Sequence, residues 1–401
     1  MGIKPSDLGA LPLDWKAVKF GAITKVRQGL QIAISERLTK PTLASQEYIT
    51  IQSINRQNQG REYVESPSAR VTCKSDDVLM TRTGNTGIVV TGVEGAFHNN
   101  FFLIDFDRKK LDSTFLVNYL RSPRVQHVLL TKAGASTIPD LNHKDFYSID
   151  FPLAPLPEQK KIAKILSTWD KAISTTEQLL ANSQQQKKAL TQQLLTGKKR
   201  LLDNNGVRFS GEWRQYHLSH VAVIVMGSSP KSEAYNENGI GLPLLQGNAD
   251  IKNRISAPRF FTSEITKECE IGDILLSVRA PVGTVAISEH KACIGRGIAA
   301  LHARPNFDQS FIYQFLLWFE PKWGSLSQGS TFESINSDDI KNLKIKVPNF
   351  GEQQKIAAVL STADQEITTL QQKLDALKQE KKALMQQLLT GIRRVKVEEV
   401  A

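Results

Sequence analysis

The side chains best suited to meet a polyanion are gathered in short stretches rich in Gly, Ser and Thr. Thr81-Arg82-Thr83-Gly84-Asn85-Thr86-Gly87 offers an arginine, an amide and hydroxyls on a flexible backbone, and Ser277-Val278-Arg279-Ala280-Pro281-Val282-Gly283 is its counterpart further along. Arginine can bind guanine through two hydrogen bonds and Asn or Gln can bind adenine likewise, whereas Ser and Thr mostly reach phosphates. Gly134-Ala135-Ser136-Thr137 and Gln328-Gly329-Ser330-Thr331 have similar phosphate-binding chemistry. Arg27-Gln28 and Ser228-Ser229-Pro230-Lys231 each lie just beyond an apolar run. The candidate contacts to a polyanion such as nucleic acid are therefore Arg27, Gln28, Arg82, Thr83, Asn85, Thr86, Ser136, Thr137, Ser228, Ser229, Lys231, Arg279, Ser330 and Thr331. The competing reading is structural. Such stretches also make hairpin turns, and an arginine beside an apolar strand can be an internal ion-pair partner.

Catalytic chemistry is harder to find. The sequence has no G-x4-G-K-[ST] phosphate loop, no Asn/Asp-Pro-Pro-Tyr/Phe stretch, and no metal-ligand spacing among its seven histidines. Pro139-Asp140 followed by Glu158-Gln159-Lys160 imitates a PD-ExK nuclease pattern. The start of a helix explains Glu158 better, and the later copy, Glu352-Gln353-Gln354, has no Pro-Asp before it. The expectation is a non-catalytic chain with no metal and no cofactor.

These loops must be carried by a large scaffold. The chain has 401 residues and a net charge of +11, with 40% hydrophobic and 23% charged residues, ordinary values for a globular protein of two or three domains. The excess charge is concentrated: residues 158–200 carry 9 basic and 3 acidic side chains, whereas residues 201–351 carry 15 of each. Such balance does not suit an autonomous DNA clamp, so partners that supply further positive charge are expected. Three isolated cysteines (Cys73, Cys269, Cys293), no signal-like apolar start and no membrane-length apolar run point to the cytoplasm.

An internal repeat organises the chain. At an offset of 194, 24 of the 40 residues from 158 to 197 are identical to those from 352 to 391. Between these copies the likeness is faint: Trp15 and Gly29 answer to Trp213 and Gly227, and Asp77-Val78-Leu79-Met80 to Asp273-Ile274-Leu275-Leu276. Two variable globular segments thus alternate with two nearly identical helical ones.

The helical copies carry heptad seams. Leu166, Ile173, Leu180, Lys187 and Leu194 in the first copy, and Leu360, Ile367, Leu374, Lys381 and Leu388 in the second, occupy the a positions. The two helices most simply pair antiparallel, about 58 Å long at 1.5 Å per residue. Lys187 and Lys381 fall at the same seam position, where they either penalise out-of-register pairing or reach out to water. Apolar helices are expected at residues 115–130 and 311–319, and strands at 77–80, 88–90, 274–276 and 284–287, making each globular segment a mixture of sheet and helix. The fold class is α+β.

The run Leu156-Pro157-Glu158-Gln159-Lys160-Lys161-Ile162-Ala163, its copy at 352, and the Gln-Gln-Leu-Leu-Thr-Gly ends resemble the specificity subunit of type I restriction–modification systems. The resemblance spans essentially the whole chain. It implies two globular target-recognition domains, 1–155 and 201–349, joined with a pseudo-two-fold repeat by a coiled-coil spacer of two long antiparallel helices, 156–200 and 350–397. It further implies that each domain reads half of a split site in double-stranded DNA, that two methyltransferase subunits dock on the scaffold, and that motor-nuclease subunits join for restriction. The alternatives are the specificity subunit of a related system cleaving outside its site, and a coiled-coil adaptor that binds protein only.

Overall fold

A computed structural model describes residues 3–6, 8–55, 60–134, 138–326 and 334–397. The chain divides into two compact units, Met1–Glu177 with Gln372–Ala401, and Gln178–Gln371. Two long helices, Leu156–Leu195 and Phe350–Leu388, each begin in one unit and end in the other.

In the first unit, strand Lys16–Lys19 pairs antiparallel with Asp150–Leu153, which leads into the first long helix. A four-stranded sheet follows the order Thr24–Gln28, Phe101–Phe106, Leu79–Thr81, Val89–Val90. A second runs Tyr63–Glu65, Ser45–Ile49, Gly95–Phe97, Thr72–Cys73, with the central pair parallel at Ala96 and Tyr48. Strand Phe101–Phe106 is buried on both faces because its side chains alternate: Phe102 and Ile104 enter the main core with Phe20, Phe115, Phe146 and Phe151, whereas Phe101 and Leu103 pack with Phe97 and Leu79.

The second unit repeats this plan with other side chains. Arg214–His217 pairs with Lys344–Val347, and Ala222–Met226 with Ile298–Ala303, which in turn pairs with Ile274–Ser277. A parallel pair recurs at Leu244 and Cys293. On Ile298–Ala303, Ala299 and Leu301 face the main core while Ile298 and Ala300 face a second cluster. Helix caps recur as well. Asp112 and Asp308 accept the backbone N–H groups of Phe115 and Phe311, and Asn142 and Asn336 cap Asp145 and Asp339, each such cap worth about 1 kcal/mol.

The expected helix over residues 115–130 is in fact two, Ser113–Arg121 and Pro123–Ala133. Pro123 removes a donor and forces Ser122 into the extended region, so the chain turns there and resumes with proline in the first turn. The second domain has Gln309–Phe319 at the corresponding place.

Within the first unit the start of one long helix lies antiparallel to the end of the other. Ile162, Ala163 and Leu166 share a core with Met385, Leu388 and Leu389, and the pairs Lys381–Asp170 and Lys378–Glu177 (2.7 Å) follow along the seam. Within the second unit, Leu194 and Leu195 pack with Ile356, Ala357 and Leu360, and Lys187 pairs with Asp364. Leu180 and Leu374 are also buried, whereas Ile173, Ile367, Lys187 and Lys381 are half-buried. The two lysines are thus ion-pair partners across the seam, at positions one repeat apart. Gly197 and Gly391 end the helices in the left-handed region at φ +71° and +73°, and the N–H groups of Lys199 and Arg393 bond back to the carbonyls of Gln193 and Gln387.

Candidate nucleic-acid interface

The loop after strand Leu79–Thr81 is held by its own backbone. Thr81 Oγ1 accepts the Ile88 N–H at 2.9 Å and the Thr81 carbonyl accepts the Gly87 N–H at 2.9 Å. In the second domain, Ser277 Oγ accepts the Thr284 N–H at 3.0 Å and its carbonyl accepts the Gly283 N–H at 2.8 Å. One turn is therefore built twice.

What it displays differs. Arg82 donates to Asp140 at 2.8 Å and to the Leu141 carbonyl at 3.3 Å, and stacks 5.4 Å from the centre of the Phe102 ring. Thr83 donates to the same carboxylate at 2.5 Å, and the buried Thr86 hydroxyl donates to the carbonyl of Arg82 at 2.9 Å. Only Asn85 of this group has an exposed side chain. Arg279, by contrast, is exposed and makes no ion pair among the described residues.

The remaining candidates divide in the same way. Arg27 is spent on Asp105 at 2.7 Å and on the Arg70 carbonyl at 2.7 Å, while Gln28 donates to the Asn99 carbonyl at 3.1 Å. Ser228 and Lys231 are exposed, and Ser229 Oγ accepts the Arg296 N–H at 3.1 Å. Ser136, Thr137, Ser330 and Thr331 lie outside the described residues.

A second turn meets the first in both domains, through the Arg82 N–H to the Asn100 carbonyl (2.7 Å) and the Val278 N–H to the Gly297 carbonyl (2.9 Å). These turns, His98-Asn99-Asn100 and Gly295-Arg296-Gly297, carry little sign in the sequence. Their one visible signal was the two glycines flanking Arg296. Gly29 and Gly227 allow the approach: a Cβ there would lie 2.0 Å from the Phe97 carbonyl oxygen and 2.1 Å from that of Gly295. In the first domain, Thr83 and Asn85 also line a cleft of about 680 Å³ with His98, Asn100 and the Arg37–Glu62 pair (2.8 Å). Burial, and then Arg37, lower the His98 pKa, favouring the neutral ring.

No group of three His, Cys, Asp or Glu among the described residues is placed to hold a metal ion. The carboxylates of the nuclease-like pattern serve different partners. Asp140 holds Arg82 and Thr83, whereas the buried Glu158 accepts from Arg394 and from the Trp15 indole at 2.8 Å. Gln159 and Gln353 have parallel duties, each accepting the backbone N–H of an aspartate that caps an earlier helix of its domain, Asp112 at 2.8 Å and Asp308 at 2.9 Å. The repeated Glu-Gln pair is thus a joint between helix and domain.

Comparison with known proteins agrees with this architecture. The family model described as the type I restriction modification DNA specificity domain matches residues 12–182 and again 210–379. The putative type I restriction enzyme MjaX specificity subunit of Methanocaldococcus jannaschii is 31% identical over 98% of this chain and 97% of its own. A chain solved in work on complex assembly and conformational transition of the type I R-M system is 26% identical, with a TM-score of 0.57 over 95% of this chain and 99% of that one. The type I restriction–modification S subunit from M. genitalium, at 16% identity, shares the fold with a TM-score of 0.62 over 94% of this chain and 96% of that one. With two copies of the domain and a full-length relative in agreement, the chain belongs to the DNA specificity subunits of type I restriction–modification systems.

Proposed function

We propose that this chain reads a bipartite site in double-stranded DNA, one half with each globular domain, and does no chemistry itself. The recognition domains are residues 1–155 and 201–349, and the spacer is made of residues 156–200 and 350–397. The observation that carries the reading is the doubled loop scaffold, the same backbone bonds at Thr81 and Ser277 presenting different side chains, Asn85 in one domain and Arg279 in the other. A shared fold with unlike displays is what two different half-sites require. Half-sites read in the major groove one helical turn apart have centres about 10 base pairs apart.

The near-identical helices offer two equivalent faces, which suits docking of two methyltransferase subunits, with motor-nuclease subunits joining for restriction. A chain whose second domain is charge-balanced gains affinity from such partners. No helix among the described residues is long and apolar enough to cross a membrane, and the setting proposed is the cytoplasm, where the host DNA lies. Gel shifts with and without the co-purified methyltransferase, scanned over salt, test this. Sequence preference that appears or sharpens with the methyltransferase supports the reading, and none in either case contradicts it.

A further inference from the structure

We propose that Arg296 reads a guanine in the half-site bound by the second recognition domain, an inference that rests on the DNA-reading function above. Arg296 is the exposed tip of a turn whose flanking residues, Gly295 and Gly297, are both buried. The turn is pinned from every side. Gly295 N–H donates to the Leu245 carbonyl at 2.8 Å, Arg296 N–H to Ser229 Oγ at 3.1 Å, Gly297 N–H to the Gln246 carbonyl at 3.0 Å, and Ile298 N–H closes back on Gly295 at 3.1 Å. Gly297 cannot be replaced without a backbone shift, and Gly295 is tightly enclosed. A Cβ on Gly297 would lie 2.3 Å from the Gln246 carbonyl oxygen, and one on Gly295 would lie 3.1 Å from Gln246 Cα.

The guanidinium makes no hydrogen bond or ion pair among the described residues, unlike Arg259, held by Asp250, and Arg254, held by Glu320. A rigid backbone carrying one uncommitted arginine is how a scaffold presents a reading side chain. The turn also adjoins the loop that displays Arg279, through the bond from Val278 to Gly297.

The first domain builds the same seat with other chemistry. The Asn99 N–H donates to the Leu30 carbonyl at 2.9 Å where Arg296 uses Ser229, and the Asn99 side chain donates to Gln31 at 2.9 Å. Amides stand where the second domain has a guanidinium and a hydroxyl. Of these groups, a guanidinium matches the O6 and N7 acceptors of guanine. The seat is therefore where the two domains part in the base they select.

The test is methylome sequencing of a methylation-deficient host that expresses the chain with its methyltransferase, comparing wild type, Arg296→Ala, Arg296→Lys and the control Arg214→Ala. Retained accumulation and an unchanged melting temperature show that the variants fold. Arg296→Ala should relax one guanine position in one half-site by about 10- to 100-fold, leave the other half-site intact, and be partly rescued by Arg296→Lys. An unchanged motif with unchanged occupancy overturns the proposal while leaving the bipartite reading in place. Uniformly lower occupancy with the motif intact marks a phosphate contact and overturns it too. Absence of any chain-dependent motif in the wild type would instead remove the reading on which the proposal rests.

Discussion

Arg394 closes two nitrogens on the carboxylate of Glu158, at 2.7 and 2.8 Å, joining residues 236 positions apart in the sequence. Glu158 is buried at 2% exposure, and Arg200 grips the fully buried Glu352 in the same way at 2.6 Å. Each long helix thus starts on a carboxylate held by an arginine that follows the end of the other helix. Removing one partner strands a buried charge. Arg394→Ala should cost about 3 kcal/mol of unfolding free energy, at the low end for a broken buried pair because the Trp15 indole still donates to Glu158. Denaturant unfolding checks this, and a change below 0.5 kcal/mol, on the order of a neutral surface substitution, counts against the clasp.

The seam pairs Lys187–Asp364 and Lys381–Asp170 lie one repeat apart and are partly exposed, with side-chain exposures of 20% and 40% for the first pair. Their coupling is therefore modest, about 0.5 kcal/mol each. Lys187→Glu should lower the melting temperature, and adding Asp364→Lys should recover most of the loss. A double variant no better than the single one would show that the pair sets no register.

Asp14 also accepts from Arg394, and that hydrogen bond holds its carboxyl below the ordinary value of 3.8. A depressed carboxylate stabilises the fold fully above its unfolded pKa, and the contribution is lost as pH falls through the lower folded value. The stability gap between wild type and Asp14→Asn should therefore be constant from neutral pH down to about pH 5 and shrink below about pH 4. Unfolding midpoints across that range test the sign, and a gap that widens on acidification contradicts it.

Commitment of a guanidinium inside the fold separates two kinds of arginine on the loops. Arg82 is engaged by Asp140 and Leu141, so Arg82→Ala should reduce stability by about 1 kcal/mol and leave the salt dependence of DNA binding unchanged. Arg279 is exposed, and Arg279→Ala should reduce the slope of log K against log salt by about one. Filter binding over a salt series reads both. Equal effects from the two would dissolve the distinction.

How far the structure was legible in the sequence follows from how local each signal is. The paired helices announce themselves through heptad period and near-identity, and Gly197 and Gly391 mark their ends. The reason for the repeated Glu-Gln was hidden. The helix dipole accounts for an acid at Glu158, but Arg394, Trp15 and the cap of Asp112 are brought to it only by tertiary folding. The break at Pro123 was readable from proline chemistry and was masked by the apolar period on either side. On the loops, residue type identified groups able to meet DNA. It did not reveal that Arg27, Arg82 and Thr86 are turned inward, because the acceptors Asp105, Asp140 and the Pro139 carbonyl lie far along the chain. Arg296 escaped notice because its meaning depends on a turn pinned by Ser229 and Gln246.

Methylome sequencing of a host carrying this chain and its methyltransferase bears most directly on the central claim, made first with the wild type and then with seven residues removed from each long helix, 176–182 and 369–375. The wild type should methylate a motif of two short specified halves around an unspecified gap. The shortened chain should keep both halves and narrow the gap by about three base pairs, since seven helical residues rise about 10.5 Å against 3.4 Å per base pair. A single continuous motif, or an unchanged gap at full occupancy after the deletion, would contradict the account.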